Sequence, residues 1–127
     1  MDPGAALAAY IDFYLSPLHK DSLSASCALP LLASEATRLP VAARTMFVQG
    51  ATRLSAMLAV QLGRLGFGDP QAEANSVLAE LVGAMALARA EQDRARSDAW
   101  LAHSRLSVRR RLGLCEVRPP AATASET

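Results

Sequence analysis

The segment from Ala79 to Ala90, AELVGAMALARA, has one carboxylate near its start, one guanidinium near its end, and only apolar residues between them, most of them small. A helix at the edge of a small protein needs one apolar stripe. A helix that is apolar on every side from Leu81 to Ala88 has to be covered on more than one side. Gly83, Ala84, Ala86 and Ala88 let another helix backbone come close, while Leu78, Leu81, Val82 and Met85 supply volume that turns either inward or across an interface. A single layer of helices within 127 residues has little left to cover such a segment. The expected solution is a second copy: the last two helices of one chain against the same two of another, a two-fold four-helix bundle with a self-complementary surface. The simpler alternative is an alanine-rich core helix buried within one chain.

The rest of the sequence supplies helices to build around it. Alanine and leucine dominate, aromatic residues make up only 5%, and no strand-like alternation is present, so the expected class is all-α with five helices. Asp2-Pro3 starts a helix over about 3–15, because aspartate caps free amides and proline has no amide to lose at the first helical position. Leu7, Tyr10, Ile11, Tyr14 and Leu15 form its apolar face, Phe13 extends it, and Ser16-Pro17 is expected to stop it. A polar connection over 19–26 then leads to a short helix near 27–39, with Pro30 in its first turn and Pro40 at its end. A long helix over 41–65 repeats Phe47, Ala51, Leu54, Leu58, Leu62 and Leu65 at three- and four-residue steps, with Arg64 at its carboxyl end and Gly66 to close it. Asp69-Pro70 opens the helix that holds the first-quoted segment, reaching about Gln92. Ser97-Asp98 is the expected cap of a last helix to about Leu112, which carries Trp100, Leu101, Val108 and Leu112 and closes at Gly113. One domain over 1–114 and a disordered tail over 115–127 is the expected organisation.

Thirteen basic and twelve acidic residues leave a net charge of +1, which offers nucleic acid or an anionic membrane no broad electrostatic attraction. Arg109-Arg110-Arg111 complements a helix carboxyl end, and no aromatic residues interleave with it for base stacking. The apolar run Leu81 to Ala88 is far short of the ~18 residues of a membrane span, and the amino terminus lacks signal-like patterning. Cys27 and Cys115 have neither zinc spacing nor a CxxC arrangement, so the expected compartment is the cytoplasm. Cys27 reads as a small buried thiol at a helix start or, with His19 and Lys20 near it in sequence, as a thiol sensor. No nucleophile with a base, phosphate loop or helical histidine–carboxylate ligand spacing involves His19, His103, Glu35, Glu73 or Glu80. Neither catalysis nor a cofactor nor a metal is expected.

Several strings together point to a family. YLSPLHKDSLSASCALPLLASEATRLP, VAARTMFVQGATRLSAMLAVQL, DPQAEANSVLAELVGAMALARAEQD and SDAWLAHSRLSVRRRLGL, in that order, resemble the carboxyl-terminal domain of TetR-family transcriptional regulators over about Ala5–Leu112. The cysteine that opens the second segment, followed by LxxLASE, is the most telling piece. The resemblance implies a five-helix sensing domain whose first three helices enclose a small-molecule effector and whose last two make a homodimer. Tyr10, Phe13, Tyr14, Phe47 and Met57 are the large groups on the pocket helices, and Gln61 is a polar residue beside Leu58 and Leu62 that needs a partner if buried. The dimer surface would draw on Leu78, Leu81, Gly83, Ala84, Met85, Ala88, Trp100, Leu101, Val108 and Leu112. In the family, an amino-terminal helix-turn-helix head reads DNA. This sequence starts at what resembles the first sensing helix, so DNA is expected as a partner only through a head that the sequence lacks. Two alternatives stand beside this reading: a headless partner that heterodimerises with a complete paralogue, and a small helical enzyme.

Overall fold

The computed structural model describes residues 2–21 and 35–114. Within them the chain is all-helical, with five α-helices and one 3-10 turn. These are α1 (Pro3–Tyr14), α2 (Pro17–Asp21), the turn Ala36–Arg38, α3 (Val41–Arg64), α4 (Pro70–Ala90) and α5 (Arg94–Arg111). None of these helices is long and apolar enough to cross a membrane. The region expected to form a disordered tail, 115–127, lies outside the described residues, as does most of the helix expected near 27–39.

Local chemistry sets the helix ends. The Asp2 carboxylate accepts the Ala5 amide at 2.9 Å, and the Asp69 carboxylate accepts that of Ala72 at 3.2 Å, each with proline as the next residue. Both carboxylates answer amides that have no intrahelical partner. α3 and α5 close on glycines in the left-handed region, Gly66 at φ +90° and Gly113 at φ +68°. At the first, the Phe67 amide reaches back to the Leu62 carbonyl and the Gly66 amide to that of Gly63; at the second, Leu114 reaches Arg109 and Gly113 reaches Arg110. Both ends are Schellman motifs, which need a residue free to adopt positive φ.

Three boundaries differ from expectation. Ser16-Pro17 does not lead into a polar connection but restarts the chain as α2: proline takes the first helical position, and the Ser16 hydroxyl accepts the His19 amide at 3.1 Å. His19 is buried, with its Nδ1 2.8 Å from the Tyr14 carbonyl oxygen. The described end of the expected second helix, from Glu35 onward, is a turn and a 3-10 helix rather than α-helix. Finally, α5 begins at Arg94 because Asp93, not Ser97-Asp98, accepts the Arg96 amide at 2.8 Å. Ser97 is instead buried, its hydroxyl donating to the Ala88 carbonyl and tying α5 back to α4.

α4 is the central element, with α3 and α5 packed along its flanks, α1 lying over α3 and α5, and α2 touching its carboxyl end. The core joins Leu7, Ile11, Tyr14 and Leu15 to Leu58 and Leu62 of α3, seven residues of α4 and Leu101, Val108 and Leu112. The seven from α4 are Ala74, Val77, Leu78, Leu81, Ala84, Met85 and Ala88. One chain therefore already buries Leu81 and Met85 of the alanine-rich segment and part of Val82, while Leu87 is 48% exposed. Its small residues Ala79, Gly83, Ala86 and Ala90 fall on the opposite side. α1 is also tied to α5 by charge, the buried Arg109 Nη1 lying 2.7 Å from the Asp12 carboxylate.

Candidate functional site

α1 and α3 diverge enough to leave a cleft of about 340 Å³ between them. Ala6, Leu7 and Tyr10 line it from α1; Leu54, Met57, Leu58, Val60 and Gln61 line it from α3. The spacing explains the wall: 7 and 10 lie one turn apart on α1, and 54, 58 and 61 follow the same side of α3. The lining is almost wholly apolar and carries no charge. Tyr10 brings a ring and a hydroxyl, and Met57, 63% exposed, stands at the rim as an unbranched, polarizable side chain able to adapt its shape. Gln61 supplies the amide. Its Oε1 is buried and has no hydrogen-bond partner, so a polar group sits in an apolar wall unsatisfied.

Of the six residues expected to form a pocket, the fold brings three together in this cleft: Tyr10, Met57 and Gln61. Tyr14 is buried behind them, its ring centroid 6.0 Å from that of Tyr10 and 4.8 Å from the His19 ring. Phe13 turns away, 52% exposed, with its ring 5.2 Å from His19. Phe47 belongs to a different groove, of about 320 Å³, between α3 and α4, shared with Ala51, Ser55, Asn75 and Val82. There Ser55, Asn75 and Gln71 are hydrogen-bonded to one another, and the Thr52 hydroxyl donates to the Val48 carbonyl. Cys27, the possible thiol sensor, lies outside the described residues. The lining residues not singled out from sequence are small or aliphatic: Ala6, Leu7, Leu54, Leu58 and Val60. Their helical spacing was visible, but not which two helices would part.

The outer face of α4 and α5 holds a second surface feature, a groove of about 430 Å³ bordered by Gly83, Leu87, Trp100, His103, Ser104 and Ser107. Trp100 is 44% exposed, and an added Cβ at Gly83 would meet nothing within 4 Å. Among the residues expected at a dimer surface, Gly83, Ala84 and Trp100 border this groove. Leu78, Leu81, Met85, Ala88, Leu101, Val108 and Leu112 are instead buried in the core of the single chain.

Among the described residues no three histidine, cysteine, aspartate or glutamate side chains gather to hold a metal ion. Comparison with protein-family profiles, with curated proteins and with solved structures finds no match to this chain.

Proposed function

We propose that this chain is the effector-binding and dimerisation part of a TetR-like transcriptional regulator, sensing a small, largely apolar molecule. The cleft between α1 and α3 carries the reading, because it combines an apolar, uncharged lining with one unsatisfied amide. Apolar walls with a few placed polar groups are the usual make-up of a small-molecule site. The order of sequence segments that resembles the family supports it, as does the open outer groove of α4 and α5, which offers a second copy a tryptophan and a glycine on one face.

The signal would pass through α1. An occupant of the cleft touches Leu7 and Tyr10 on one side of α1, while Asp12 on the same helix holds Arg109 of α5. A molecule that binds one setting of α1 better than another biases α5 and, with it, the way two protomers sit. DNA reading would fall to a helix-turn-helix head joined ahead of α1, and the protein would work in the cytoplasm. Native mass spectrometry of the purified chain reads subunit number and retained ligand together. A dimer carrying an apolar compound is the expected result. A monomer with nothing bound, even after incubation with a mixed library of apolar compounds, would overturn the reading.

A further inference from the structure

Away from the cleft, the end of α2, the carboxyl end of α4 and the start of α5 meet around a polar cavity of about 260 Å³. Its charged and polar lining includes Lys20, Asp21, Arg89, Glu91, Arg94 and Ser97. Several of these groups already have partners. Lys20, its side chain only 10% exposed, donates to the Asp98 carboxylate at 3.0 Å and to the Ser97 hydroxyl at 2.9 Å. Glu91 accepts the Asp93 amide at 3.0 Å and faces Arg96 Nε at 3.4 Å. Asp21 is exposed and lies 4.0 Å from Lys20.

Arg89 is the exception. Its Nε donates to the Lys20 carbonyl at 3.4 Å, which helps to close α2, but it makes no ion pair with a described carboxylate, and its Nη2 is buried with no hydrogen-bond partner. Closing a helix end uses one donor of a five-donor fork. A partly buried guanidinium with unused donors matches the planar pair of oxygens that carboxylates and phosphates present. Arg94 puts a second cation on the same cavity, at the amino end of α5, where the helix dipole favours negative charge.

We propose that this cavity binds a small oxyanion, a carboxylate or phosphate group, gripped by the Arg89 guanidinium with Arg94 as the supporting charge. The site bridges α2, α4 and α5, so occupancy stabilises the folded chain in proportion to ligand concentration over its dissociation constant. It is independent of the apolar cleft and of the proposed regulator function.

The test is thermal unfolding with parallel calorimetric titration of the full chain, using sodium phosphate and sodium acetate against sodium chloride at matched ionic strength. A saturable rise in Tm beyond the chloride control is expected. Response to phosphate alone assigns a phosphate site, and response to both or to acetate alone assigns carboxylates to it. Arg89→Gln should weaken binding at least tenfold, Arg94→Gln severalfold, and Asp21→Asn should tighten it by removing an exposed negative charge from the cavity wall. Arg89→Lys keeps the charge and loses the fork, so it serves if the glutamine variant fails to fold, and it should still bind severalfold more weakly. No anion response beyond chloride, or an unchanged affinity in a folded Arg89 variant, would overturn the proposal.

Discussion

Asp2, Asp69 and Asp93 each do the same work at a helix start, accepting an amide three residues on that the helix itself leaves free. Replacing Asp69 with alanine should cost about 1 kcal/mol, read as a lower urea midpoint at unchanged slope, whereas Asp69→Asn should cost little because the amide oxygen still caps. Gln61 presents the opposite case. Its buried Oε1 lacks a partner, so Gln61→Leu should leave the fold as stable or raise its stability by about 1 kcal/mol, measured by the same titration. If the residue instead served the fold through a bond, the substitution would destabilise it. The two aspartate–proline starts were legible in the sequence because all of their chemistry lies within four residues. Asp93 is less legible because Ser97-Asp98 offers the same signature four positions later, and only the bond from Ser97 to the Ala88 carbonyl of α4 shows why that serine is occupied elsewhere. The burial of His19 is hidden in the sequence for a similar reason, since it depends on the rings of Phe13 and Tyr14 arriving beside it.

Among the elements, α3 was the most legible, since its three- and four-residue repeat places Leu58 and Leu62 in the core and Gly66 at its end. Periodicity names the inward face but not the tightness of each contact, which is why Leu65, the last member of the same repeat, is 37% exposed. Leu62 is wholly buried in the core, so Leu62→Ala should cost roughly 2–5 kcal/mol through lost transfer energy and the hole left behind. At the helix end, Gly66 holds φ +90° with open space around its Cα, so crowding plays no part in its substitution. The cost of Gly66→Ala should be about 1–2 kcal/mol, from left-handed backbone strain alone, visible as a drop in Tm. The restart at Pro17 is ambiguous in the sequence because a proline that stops one helix is also the preferred first residue of the next. Both outcomes have the same local sequence. Packing of α2 against α4, with Lys20 reaching Ser97 and Asp98, selects the second.

At the scale of the whole molecule, the segment Ala79–Ala90 divides into two halves with separate tasks. Leu81, Met85 and Ala88 bury themselves inside one chain, so the demand for cover is met in part without a partner, while Gly83 and the nearby Trp100 remain on an open groove. A single substitution separates folding from association here. An alanine Cβ at position 83 meets nothing within 4 Å, so in one isolated chain Gly83→Ala changes mainly helix propensity and should raise fold stability by about 0.5–1 kcal/mol. A second copy whose backbone approaches this face would meet that methyl group, and overpacking of about 1–3 kcal/mol translates to a dimer weakened by roughly fivefold to somewhat over a hundredfold. The expected pair of results is therefore a higher Tm at concentrations where the chain is monomeric and a larger dissociation constant in sedimentation equilibrium. Trp100→Ala should reproduce the second effect with little of the first, since the indole is 44% exposed in the single chain. A dimer whose affinity is indifferent to both substitutions would place self-association on some other face. It would leave the small residues of α4 explained by nothing more than the space they happen to occupy.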